Sequence, residues 1–138
     1  MNNKTSDAQK AWVVFTGQTD LKRLFFLKAG FKHCFVVVHD GSRWVTLDPL
    51  ASHIELKVQE LADEFDLIHW LKSQGHEALP ARVIANTKPA PAAFISCVEI
   101  AKRLIGLQNR FIITPWQLYC RLQRDAILVH PHPIDNKE

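Results

Sequence analysis

No apolar run in this chain approaches the roughly 20 residues that a membrane-spanning helix needs, so no membrane span is expected. The opening Met1–Asp7 is polar and has no apolar h-region, which predicts no signal peptide and a cytoplasmic protein. Charge of one sign is scarce as well. The formal net charge is only +3, with lysines and arginines scattered and no aromatic-interleaved basic stripe, so nucleic acid is not an expected partner. There are three cysteines, at 34, 97 and 120, with no C-x-x-C spacing. An odd number argues against a secreted disulfide framework and suits reduced thiols. Metal ligands at zinc-like spacing are missing too. His33 and Cys34 alternate faces, and His39, His53, His69, His76, His130 and His132 offer no companion set. Neither a metal nor a cofactor is expected.

At 138 residues, 47% hydrophobic and 22% charged, the chain reads as one globular domain. That domain is expected over 11–129, with polar or Pro-rich disordered tails at 1–10 and 130–138. Trp12–Phe15 reads as a strand, and Asp20 as the cap of a helix over Leu21–Ala29. Phe35–Val38 and Trp44–Leu47 read as a hairpin about Asp40-Gly41, followed by a strand at His53–Val58. Phe65–Gln74 reads as a helix stopped by Gly75, and Ala81–Ala85 as a strand. An extended Pro-Ala spacer over Asn86–Ala93 leads to a helix that starts at Cys97. Phe111–Ile113 reads as a brief strand. Thr114-Pro115 opens a helix over Trp116–Gln123, and Ala126–Val129 reads as a last strand. This order predicts an α+β domain with an antiparallel sheet.

Two places carry chemistry. Ser96-Cys97-Val98-Glu99 has the form of a capping box, followed by Val98, Ala101, Leu104 and Ile105 at helical spacing and Gly106 as the stop. Cys97 then lies in the first helical turn, where free N–H groups and the dipole favour a thiolate. A two-residue turn at Asp40-Gly41 sets His33 directly opposite Asp48, Cβ to Cβ about 5 Å on one side of the sheet. A one-residue slip separates them onto opposite faces. An imidazole beside a carboxylate is the base-and-orienter half of a Cys-His-Asp arrangement. Trp44 and Thr46 share the His33 face as candidate groove residues, and Gln18 is a polar donor in the first loop. Cys34 and Cys120 read as structural.

Phe31-Lys-His33-Cys-Phe-Val-Val-Val, Trp44-Val-Thr-Leu-Asp48-Pro, Ser96-Cys97-Val-Glu and Thr114-Pro115-Trp-Gln-Leu-Tyr119 resemble a circularly permuted papain-like domain. More narrowly, they resemble the permuted branch of the NlpC/P60 superfamily, which includes lecithin:retinol acyltransferase-like proteins. The resemblance spans roughly residues 12–122. It implies a His on an early strand and a Cys opening a later helix, with His33 as general base and Cys97 as nucleophile. Asp48 would orient the ring, with Thr46 as the alternative. No residue matches a family oxyanion donor, so the Cys97 N–H stands as the default. The implied reaction is acyl transfer from a peptide, amide or acyl substrate, to water or to another acceptor.

Structural alternatives accompany each residue. Free cysteine is commonly buried packing, His33 suits a strand edge, and Asp48 before Pro49 suits a strand exit. The competing function is a non-catalytic binding or assembly module that retains this fold, a phage-like particle being one setting for it. A redox-sensing thiol protein is a third reading, and it needs a resolving cysteine beside Cys97.

Overall fold

A computed structural model describes residues 9–17, 28–50, 53–84 and 96–129. Residues 1–8 and 130–138 of the predicted tails, Gln18 and the Pro-Ala spacer lie outside the described residues, as does nearly all of the helix expected over Leu21–Ala29; Lys10, expected in the first tail, belongs to the first strand. The described chain runs β1 (Lys10–Thr16), β2 (His33–His39), β3 (Trp44–Pro49), β4 (Ile54–Gln59), α1 (Leu67–Ser73), β5 (Glu77–Arg82), α2 (Cys97–Leu104) and α3 (Pro115–Val129). The strands form one five-stranded sheet in the order β4-β3-β2-β1-β5, with every pairing antiparallel. This is the α+β architecture with an antiparallel sheet that the sequence predicts.

Helices cover both faces of this sheet. Val13 and Phe15 of β1 and Cys34 and Val36 of β2 pack under Val98 and Ala101 of α2, its C-cap Ile105, and Leu118 and Leu122 of α3. Val14 and Val37 point the other way, into Leu67, Ile68 and Leu71 of α1. A strand covered on both sides reads as an unbroken apolar run, which is why Val13, Val14 and Phe15 are all buried. The Asp66 carboxylate caps α1 by accepting from the His69 N–H at 2.9 Å.

Three expectations shift. β5 begins at Glu77 rather than Ala81 and contains Pro80, which is tolerated because β5 is an edge strand. Phe111–Ile113 forms no strand: Phe111 and Ile113 are 72% and 68% exposed, and the Ile112 carbonyl is taken by Lys102 Nζ at 2.9 Å. Ala126–Val129 belongs to α3, which Thr114 caps through Oγ1 to the Gln117 N–H at 3.3 Å. No proline or glycine interrupts it, and Arg121 Nε donates to Asp125 one turn later at 3.1 Å.

Lys102 is buried on α2, paired with Glu99 at 2.8 Å. Lys102→Met strips a donor from both Glu99 and the Ile112 carbonyl. A loss of about 1–3 kcal/mol in urea unfolding is expected, because the Ile112 carbonyl loses its charged donor while Glu99 keeps only Arg103.

Glycine places the start of β2. A Cβ on Gly17 would lie 3.0 Å from the Gly30 Cα, so a larger residue there would push these two backbones apart by a few tenths of an ångström. Lys32 N–H then donates to the Thr16 carbonyl at 3.0 Å, delivering His33 to its strand.

Candidate active site

The hairpin turn differs from the expected one. Its loop has four residues, Asp40 to Arg43, closed by the Asp40 N–H to the Arg43 carbonyl at 3.1 Å. Asp40 Oδ1 accepts from the N–H groups of Ser42 and Arg43 at 2.9 and 2.7 Å, and Gly41 supplies a φ of 99°. The ladder therefore pairs Val36 with Leu47 and His39 with Trp44, two positions away from the register of a two-residue turn. A slip of two keeps every side chain on its face. Asp48 becomes the diagonal neighbour of His33 rather than its direct partner, at a separation polar side chains still bridge. The bridge is made: His33 Nε2 and Asp48 Oδ1 are 2.6 Å apart.

Pairing between β2 and β3 ends at Val36 and Leu47. Beyond that point β2 continues to His33 along β1, and β3 continues to Pro49 along β4. The two strands form a fork, and the site lies in it.

Helix α2 brings the sulfur. Ser96 is its N-cap, with Oγ accepting from the Glu99 N–H at 3.2 Å, so Cys97 is the first helical residue. Only half of the expected capping box forms. The Glu99 carboxylate turns instead to Lys102 Nζ at 2.8 Å and Arg103 Nε at 3.2 Å. Apolar Val98, Ala101 and Ile105 seat the helix on the sheet, and the half-buried Cys97 meets the open end of β2. There its sulfur is in hydrogen-bonding contact with the Cys34 thiol, the Cys34 backbone N–H and the His33 ring.

These contacts set the charge. The Cys34 thiol, the His33 ring and the Cys34 N–H overcome the penalty of burial and pull Cys97 down to about 4. Burial works against a charged His33, but its hydrogen bonds to Cys97 and Asp48, and their charges, raise it to about 8. Cys34 is held protonated, first by donating to Cys97 and then by its own burial. Between about pH 4 and 8 the site is a thiolate–imidazolium pair backed by a carboxylate.

Cys97, His33 and Asp48 are thus brought together. Thr46 stays apart from the imidazole, its hydroxyl accepting from Gln59 Nε2 at 2.9 Å. Trp44 sits at the far end of β3, opposite His39. Its indole packs on Trp12 and His39 and donates to the Phe65 carbonyl at 2.9 Å. Cys120 lies on α3 in the wall of a shallow hollow of about 300 Å³, with Phe111 and Trp116. Cys34 is the residue that sequence reasoning missed. It is fully buried, as a structural cysteine should be, yet its thiol touches the nucleophile candidate. Strict alternation sends Cys34 to the face that α2 covers and His33 to the other, so His33 is the residue that must reach round the strand end to the same sulfur.

Among the described residues no group of three or more His, Cys, Asp or Glu could hold a metal ion, and no helix is long and apolar enough to cross a membrane. The chain matches no family model, no curated protein and no solved structure.

Asp48→Asn removes the charge that favours imidazolium. The His33 titration, followed by NMR of the ring, is expected to move down from about 8, while Thr46→Val leaves it in place.

Proposed function

We propose that this chain is a cysteine hydrolase or acyl-transfer enzyme working through a Cys97 acyl-enzyme, built on a permuted papain-like domain. The observation that carries this reading is the chain of contacts from the Cys97 sulfur through the His33 ring to Asp48 at 2.6 Å. An early-strand His and a later helix opened by Cys are the two placements that the resemblance implies, and both are compatible with the topology.

The chemistry follows from the charges. The Cys97 thiolate attacks an amide or ester carbonyl carbon, and the developing oxyanion meets N–H groups of the first turn of α2, which have no intrahelical acceptor. Asp48 holds Nε2, leaving Nδ1 of His33 to give its proton to the departing nitrogen or oxygen. Neutral His33 then takes a proton from water, or from another acceptor, which cleaves the thioester and restores the thiolate. Transfer from an amide should therefore require both charged partners, and fall below about pH 4 and above about pH 8.

Mixing the protein with p-nitrophenyl acetate tests the assignment. The expected result is a burst of one equivalent of p-nitrophenol and an acetyl group mapped to Cys97, both lost in Cys97→Ala. Wild-type protein that shows no burst and no acetylated Cys97 would end this reading in favour of a binding module.

A further inference from the structure

The acyl mechanism needs one sulfur, and the fork holds two. Cys34 is 0% exposed, at the end of β2, and its thiol donates to the Cys97 sulfur. Buried cysteine alone signifies only packing. The contact is a different matter, because the half-buried Cys97 packs against the core cluster that contains Cys34, and the two thiols are hydrogen-bond partners. A low-pKa, accessible cysteine beside a resolving cysteine is the arrangement that reversible oxidation requires.

We propose that Cys97 and Cys34 form an oxidative modification site: a hydroperoxide oxidises Cys97, and Cys34 resolves it as an intramolecular Cys34–Cys97 disulfide that shuts the candidate active site. In the first step the Cys97 thiolate attacks the distal peroxide oxygen. An S–O bond forms, the O–O bond breaks, and the peroxide leaves as water or alcohol after taking a proton from solvent. Sulfur loses two electrons and the peroxide gains them. In the second step the Cys34 sulfur attacks the sulfenic sulfur. The S–S bond forms, the S–O bond breaks, and the Cys34 proton leaves with the hydroxyl as water. Oxidation also prepares the second step, because the hydrogen bond to the Cys97 thiolate and the charge of that thiolate, which both hold the proton on Cys34, are lost once Cys97 is a sulfenic acid. A thiol reductant returns both thiols.

This inference shares a sulfur with the proposed acyl chemistry but does not depend on acyl transfer, and the two fail separately. Wild-type protein is treated with one to five equivalents of hydrogen peroxide, denatured in N-ethylmaleimide and digested without reduction. The expected result is loss of two of the three titratable thiols, a Cys34–Cys97 cross-linked peptide, and full recovery with dithiothreitol. Cys120→Ser should behave as wild type. Cys34→Ala, checked for native circular dichroism, should instead accumulate a dimedone-reactive Cys97. The proposal is overturned if wild-type Cys97 stops at dimedone-reactive or over-oxidised sulfur with Cys34 still free, or if Cys97 pairs with Cys120 or between molecules. Because wild-type mapping alone decides the outcome, a Cys34 variant that fails to fold does not shield the idea. A cross-link without acetylation by p-nitrophenyl acetate would leave a redox site and remove the hydrolase.

Discussion

His33→Ala should split the two phases of p-nitrophenyl acetate turnover. The nitrophenolate leaving group needs no proton, so acetylation of Cys97 survives in slower form as long as thiolate remains. Two of the three contacts that favour thiolate come from Cys34 and are untouched by the substitution. Hydrolysis of the thioester is different, because water must lose a proton to a positioned base. Removing such a base typically costs about 10²–10⁴-fold, and the steady-state rate is expected to fall by that factor while a burst of one equivalent persists. Cys97→Ala, by contrast, abolishes the burst itself. Steady turnover by His33→Ala close to the wild-type rate would remove His33 as the base, whatever its contact with the sulfur.

Much of this site is legible in the chain, and the errors have identifiable causes. Ser96 before a helical apolar pattern locates the Cys97 helix start, since a cap and a stripe are both local signals. The meeting of His33 and Asp48 follows from side-chain parity. It survives a wrong turn length because the error was two residues and not one. The turn itself was misjudged because Asp-Gly also suits a four-residue loop in which Asp40 accepts from two backbone N–H groups. Glu99 fits a capping box by spacing, but Lys102 and Arg103 compete for its carboxylate. Cys34 was out of reach of such arguments. Its parity puts it on one face of the sheet, but that the Cys97 helix covers that face is a tertiary arrangement that no local pattern carries. The strands expected at Phe111–Ile113 and Ala126–Val129 failed because short apolar runs fit loop and helix equally well.

Alkylation of Cys97 by iodoacetamide should be nearly independent of pH over the range where ordinary thiols change most. With the Cys97 midpoint at about 4, almost all of it is thiolate at pH 6. A thiol near about 8.5 is then roughly 0.3% ionised, a gain in thiolate for Cys97 of about 300-fold. Absolute rate is nevertheless a poor readout. Nucleophilicity falls with basicity along a slope of about 0.4–0.5, which over this span removes about 100-fold. The advantage left at pH 6 is only about threefold, and partial burial reduces it further. The shape of the profile does discriminate. An ordinary thiol gains about tenfold per pH unit below its pKa, whereas Cys97 should stay flat from about pH 5 to 8 and lose rate only as it takes up a proton near 4. Alkylation needs no proton donor, so it should not decline above pH 8, where acyl transfer from an amide does. His33→Ala and Cys34→Ala should each move the midpoint upward, because each removes a hydrogen bond to the thiolate. A Cys97 profile that climbs tenfold per unit between pH 5 and 8 would mean that the sulfur is an ordinary thiol, and neither the acyl nor the redox chemistry would then have its nucleophile.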